Sequence, residues 1–283
     1  MNLKHFRRLT IRNLLSHIGI LVVFTLLTHL LYAEEQPSML DTIEGKGEPP
    51  TGEILEYFEK AKGYLSVPEG EGPFGSVILI HEWNGLVERV KQVADSLAKE
   101  GYIALAADLY SGRIGTNREE NIALVREVRA DEQTLIDNLN AAVNYLKSRT
   151  DSNGTVATIG WCFGGGVALT FGMGGEQHEG TAIFYGQLLD DPERLASIHH
   201  EIHGTFAGQD RNPSVEQVEN FVEALRKAGI PNDIHVYDPV QHGFWLYVER
   251  DLETNQEPAE HAWGRLQDFL QRVLQSEQNE GNE

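Results

Sequence analysis

The one cysteine of the chain, Cys162, stands in the run Gly160-Trp161-Cys162-Phe163-Gly164-Gly165-Gly166. Glycines two before and two after a nucleophilic side chain are the spacing of a sharp strand-to-helix turn. Such a turn holds the nucleophile in strained backbone, and neighbouring backbone approaches where a Cβ would clash. A thiol there lies at a helix N-terminus, whose dipole favours thiolate. The amide of Phe163 then points where an oxyanion would develop. Acyl transfer also needs a base and a carboxylate to orient it. Gly208-Gln209-Asp210 and Gln241-His242-Gly243-Phe244 supply both, in the chain order Cys162, Asp210, His242. Each signal alone is weak. The glycine run would also suit a tight turn around a small buried residue, although it lacks the lysine of a GxxxxGK[ST] phosphate loop. An aspartate after a strand is commonly a turn or cap residue, and a histidine at a strand end is commonly structural. The three together, in order, make the nucleophilic reading specific.

The elements that must position these residues follow from periodicity. Short apolar runs at Tyr57–Val67, Ser76–His81, Ile103–Ala107, Val156–Gly160, Thr181–Tyr185, Gly204–Ala207 and Asp233–Tyr237 read as strands, several of them covered on both faces. Helical patterns lie at Val87–Glu100, Asn117–Val128, Asp131–Ser148, Phe163–Met173, Pro213–Ala228 and Pro258–Gln275, with Asp131 as an N-cap and Gly101 and Gly229 as C-terminal glycines. This alternation predicts an α/β fold: a mostly parallel sheet with helices on both faces and its site at the carboxyl ends of the strands. Nucleophile, acid, histidine is the α/β-hydrolase order. In that fold the loop after the first parallel strand, here His81-Glu82-Trp83-Asn84-Gly85, supplies the second oxyanion amide, assigned to Trp83, and Glu82 would sit beside the nucleophile. His81 itself reads as packing at the strand end.

The chain resembles the dienelactone hydrolase (carboxymethylenebutenolidase) family. The matching segments are Val77–Glu82, Ala107-Asp108-Leu109-Tyr110, Gly160–Gly165, Phe184-Tyr185-Gly186, Gly208-Gln209-Asp210 and His242-Gly243-Phe244. The resemblance spans residues 55–275. It implies hydrolysis of cyclic enol-lactones through a Cys-His-Asp triad, with Glu82 contacting the resting thiol and helping to generate thiolate. It also implies Tyr185 as a pocket residue and no metal or organic cofactor. Dienelactone-cleaving members hold the substrate carboxylate with two arginines. Arg113 is a candidate for one, displaced by a position; the other position holds Leu246, and Trp245-Leu246-Tyr247 suggests a more apolar pocket rim with Trp245 in the pocket.

Composition bounds the remaining possibilities. Of the 283 residues, 23 are Lys or Arg and 43 are Asp or Glu, for a net charge of −20. A surface this acidic disfavours nucleic acid as a partner. A basic start (Lys4, Arg7, Arg8, Arg12) precedes an apolar stretch from Leu14 to Ala33, the layout of a secretory signal cleaved after Ala33. The alternative is a retained membrane anchor over residues 14–33. Residues 34–53 read as a linker, 54–275 as the catalytic domain and 276–283 as a polar tail. His199, His200 and His203 cluster, but their spacing matches no metal motif, and a solvated loop is the reading adopted. The expected protein is an exported monomer, periplasmic or secreted, that acts on a small ester or lactone. A broad carboxylesterase or thioesterase is the rival within enzymes. A non-catalytic binding or thiol-redox protein is the rival outside them.

Overall fold

The computed structural model describes residues 38–274. Eight strands form one sheet: β1 (Glu53–Phe58), β2 (Ala61–Ser66), β3 (Phe74–Ile80), β4 (Ile103–Ala107), β5 (Ser152–Trp161), β6 (Gly180–Phe184), β7 (Glu201–Ala207) and β8 (Asn232–Tyr237). Their order is β1-β2-β4-β3-β5-β6-β7-β8. β1–β2 and β2–β4 pair antiparallel, and every later pair is parallel. The helices are α1 (Met39–Asp41), α2 (Glu88–Lys99), α3 (Arg118–Ala130), α4 (Glu132–Ser148), α5 (Phe163–Gly174), α6 (Pro192–Leu195), α7 (Val215–Ala228) and α8 (Leu252–Leu274).

Successive strand residues point to opposite faces, which divides the core. Val77 and Leu79 of β3 pack with Val90, Val93 and Leu97 of α2 and with Leu266, Phe269 and Leu270 of α8. Ile78 and Ile80 pack on the other face with Leu139, Val143 and Leu146 of α4 and Val167 and Phe171 of α5. Both faces of β3 are therefore apolar and closed, as its uninterrupted run Val77-Ile78-Leu79-Ile80 predicts. Asp131 caps α4 through the Thr134 amide at 3.1 Å, and Gly229 closes α7 with φ 74°.

Four expectations need correction. Residues 34–53 are not a plain linker where they are described: α1 and the irregular turn Thr42–Lys46 pack into the core, with Met39 2% and Ile43 0% exposed. These two apolar side chains sit among Glu, Gly and Pro, so composition concealed them. Tyr57–Val67 is not one strand but parts of β1 and β2, joined by a turn at Glu59, which has φ 40°. Helix α8 begins at Leu252 rather than at Pro258, because Asp251 receives the Thr254 amide and starts the helix six residues earlier. The histidine cluster is a solvated loop only at His199, which is exposed just before β7. His203 is buried within β7, and His200 meets His178 across the Thr181 hydroxyl at 2.9 and 3.0 Å. The residues read as signal or anchor (1–33) and the polar tail (276–283) lie outside the described residues.

Candidate active site

Cys162 sits between β5 and α5 with φ 54° and ψ −115°. A side chain with a Cβ is strained there, and the surrounding contacts impose the conformation. Its amide donates to the Phe184 carbonyl at 3.0 Å, which ties the turn to β6. A Cβ on Gly160 would strike the Gly164 carbonyl, and one on Gly164 would strike the carbonyls of Ile80 and His81. The glycine spacing is thus required by backbone crowding on both sides of the nucleophile position.

Asp210 follows β7 in a turn in which its own amide donates to Ala207 at 3.2 Å. One carboxylate oxygen accepts the Asn212 amide at 3.0 Å. The other lies 2.5 Å from His242 Nδ1. The Cys162 thiol lies close enough to His242 to influence its titration. Burial by itself lowers the His242 pKa, but hydrogen bonds to Asp210 and Cys162 and their charges outweigh it and raise it to about 10. Asp210 is nearly covered while the His242 ring is partly open to solvent. The edge of Tyr185 packs against that ring, with centroids 4.9 Å apart. Tyr185 is itself buried, at φ 39°, with its hydroxyl lacking a hydrogen-bond partner.

Glu82 is 7% exposed. Burial raises its pKa to about 7, against the lowering influence of His242, Arg250 and the Tyr247 hydroxyl. The amides of Trp83 and Phe163 have no hydrogen-bond partner among the described residues. Two free amides, a thiol, an imidazole held by a carboxylate and a second carboxylate near neutrality therefore meet at the carboxyl ends of β3, β5, β7 and β8. Such a set can add a nucleophile to a carbonyl, stabilise the oxyanion and pass a proton to the leaving group.

Two of the expected pocket residues lie elsewhere. Trp245 is 0% exposed, stacked on Trp161 at 5.8 Å and close to Phe184 at 4.9 Å, so it is a core residue. Leu246 is buried as well, so the expected apolar rim loses both residues. Tyr247 alone remains partly open, and the guanidinium of Arg250 stacks on it at 3.9 Å. Arg113 is bonded to Glu127 at 2.6 and 2.9 Å. Its cleft of about 180 Å³ lies beneath the β1–β2 hairpin, and no triad candidate lines it. Of the expected rim Tyr247 remains, and sequence reasoning missed Arg250. Arg250 is exposed, has no carboxylate partner among the described residues and acts on Glu82. Its only sequence signal was its place eight residues after His242.

Sheet order, elbow and the histidine–carboxylate pair define an α/β hydrolase. The sequence profile of the dienelactone hydrolase family matches residues 61–274, and the chain belongs to that family. It is 28% identical over 222 residues to a candidate carboxymethylenebutenolidase of Methylorubrum extorquens, covering 74% of this chain and 76% of that protein. It is 28% identical over 253 residues to a candidate carboxymethylenebutenolidase of Saccharolobus solfataricus, covering 76% of this chain and 95% of that one. A solved dienelactone hydrolase-like promiscuous phosphotriesterase from metagenomic libraries superposes with a TM-score of 0.71 at 20% identity, covering 81% of this chain and 100% of its own.

Proposed function

We propose that the protein hydrolyses carboxylic esters and lactones by covalent catalysis at Cys162. The observation that carries this reading is the strained Cys162 at the start of α5, close to a His242 whose Nδ1 is 2.5 Å from Asp210. Glu82 takes the thiol proton, the thiolate is stabilised by the protonated His242, and the sulfur adds to the substrate carbonyl. The oxyanion is held by the Trp83 and Phe163 amides. Collapse expels the alcohol or enol, which receives the proton from His242, and leaves an acyl-thioester. Water, deprotonated by His242, then releases the acid and the thiolate, and Glu82 returns the proton that restores the thiol. Asp210 keeps Nδ1 protonated and stabilises the imidazolium. Glu82 acts as a nearby proton acceptor for the resting thiol; once ionised, it would repel a thiolate left beside it. Tyr185 lines the pocket against His242.

A panel tests this under reducing conditions: an activated aryl ester, a thioester, a neutral enol-lactone and a carboxylated dienelactone. Wild type turns over at least one of them, and Cys162→Ala loses about 10³-fold or more in kcat, the usual cost of removing a covalent nucleophile. Equal activity in Cys162→Ala would sink the mechanism and favour a binding or redox role for the thiol. Relative rates on the two lactones report whether Arg250 serves a substrate anion in place of Leu246.

A further inference from the structure

Among the buried titratable side chains that the mechanism does not use, His81 lies beside the site. His81, 0% exposed, ends β3 immediately before the Glu82–Trp83 peptide. Its Nδ1 lies 2.6 Å from the Glu82 carbonyl. Its Nε2 receives the Leu109 amide at 3.3 Å. A carbonyl only accepts and an amide only donates, so the ring is neutral with its proton on Nδ1. Burial supports the neutral form by holding His81 below the ordinary histidine value.

A trans peptide plane holds its C=O and the following N–H antiparallel. Fixing the direction of the Glu82 carbonyl therefore fixes the Trp83 N–H in the opposite direction. The Gly85 amide, at 3.2 Å, is the second donor to that carbonyl. The next peptide is held as well: the Tyr110 hydroxyl donates to the Trp83 carbonyl at 3.1 Å. Gly115 then donates to the Asn84 carbonyl at 3.0 Å. Tyr110 also packs edge-on against the His81 ring, centroids 4.7 Å apart, and against Phe163 at 6.1 Å. It thus touches the residue that bears the other free amide. Three consecutive carbonyls are tied back, and the Trp83 amide is left without a partner.

We propose that His81 and Tyr110 are positioning residues of the oxyanion site: His81 aims the Trp83 amide by gripping the Glu82 carbonyl, and Tyr110 locks the following peptide. This rests on the reading of Trp83 as an oxyanion donor. Neither residue touches substrate. The clamp joins the loop after β3 to the loop after β4, so peptide orientation at the site depends on contacts some 28 residues away in the chain.

The test separates oxyanion stabilisation from thiol reactivity. Alkylation of Cys162 by iodoacetamide displaces iodide at a saturated carbon and forms no oxyanion, whereas hydrolysis of an aryl ester forms one. Tyr110→Phe keeps the ring packing and removes only the hydroxyl. Its kcat is expected to fall about tenfold, less than the 10²–10³ lost with a whole oxyanion donor. KM and the alkylation rate should stay within about twofold of wild type. His81→Leu should fall further in kcat. His81→Asn, whose amide NH₂ can still reach the Glu82 carbonyl, should recover part of that loss. Hydrolysis and alkylation falling together in Tyr110→Phe would mean general damage and would overturn the proposal. So would an unchanged kcat in Tyr110→Phe, or equal kcat in His81→Asn and His81→Leu. If His81→Leu does not fold, Tyr110→Phe decides the question alone. Loss of the proposed chemistry would appear separately, as full activity in Cys162→Ala.

Discussion

At the residue scale, the site brackets neutrality. Burial pushes the Glu82 carboxyl up to about 7, and the Asp210 and Cys162 partners carry His242 up to about 10 despite the burial that opposes them. Below the lower value Glu82 is protonated and cannot accept the thiol proton. Above the upper value His242 loses the proton that the leaving group must receive. The kcat/KM profile is therefore expected to rise with pH through about 7 and fall through about 10. Glu82→Gln has no proton to gain or lose there. Its profile should keep the upper limb and lose the lower one, which a pH–rate series on a neutral ester checks. A lower limb that persists in Glu82→Gln would assign it to another group. Strain is also placed by function. Of the non-glycine residues with positive φ, Ser111, Cys162 and Tyr185 follow β4, β5 and β6 at the site edge of the sheet, and Glu59 lies in the β1–β2 turn.

At the scale of elements, the segment before β1 supports the loop that carries His242. Arg89 of α2 donates to the Ile43 carbonyl at 3.0 Å, to the Leu246 carbonyl at 2.7 Å and to Glu249 at 2.7 Å. One guanidinium thus ties the irregular turn Thr42–Lys46 to the chain just beyond His242. Met39 and Ile43 are buried in the same layer as α2 and α8. A chain that starts at residue 54, where the boundary read from sequence falls, loses both side chains and one Arg89 partner. At roughly 1.5–3 kcal/mol for each fully buried apolar side chain, the loss is expected to be about 3–6 kcal/mol. Thermal unfolding of that shortened chain against one starting at residue 34 measures it. Equal midpoints would mean that the segment contributes no stability.

At the scale of the whole molecule, charge and layout bear on where the protein works. The chain carries −20, and removing residues 1–33 removes four positive charges and no negative ones, giving −24. We infer export from the basic start and the apolar stretch that follows it. Expression in a bacterial host with an export pathway should yield a mature protein beginning at Glu34, read by intact mass. Recovery of the full-length chain in the membrane fraction would instead support an anchor over residues 14–33. In the described residues no helix is long and apolar enough to cross a membrane.

Much of this protein is legible from sequence because the constraints are local. Apolar runs on β3, β4 and β6 announce strands buried on both faces. The glycines around Cys162 are dictated by backbone atoms within a few residues or on adjacent strands. The order Cys162, Asp210, His242 follows from which strand each residue ends, so the sequence by itself determined the α/β topology and the three residues that meet. Tertiary packing decided what depends on distant partners. Trp245 became core because Trp161 and Phe184 present aromatic faces to it. Arg113 turned to Glu127 because a carboxylate one helix away was nearer than the site. Residues 39–46 joined the core because α2 and α8 leave apolar surface for Met39 and Ile43. The Trp83 amide is aimed by His81 and Tyr110, and that orientation exists only once the loops after β3 and β4 lie side by side. A hydrogen bond across the fold leaves no periodicity in the chain, so only the folded coordinates reveal it.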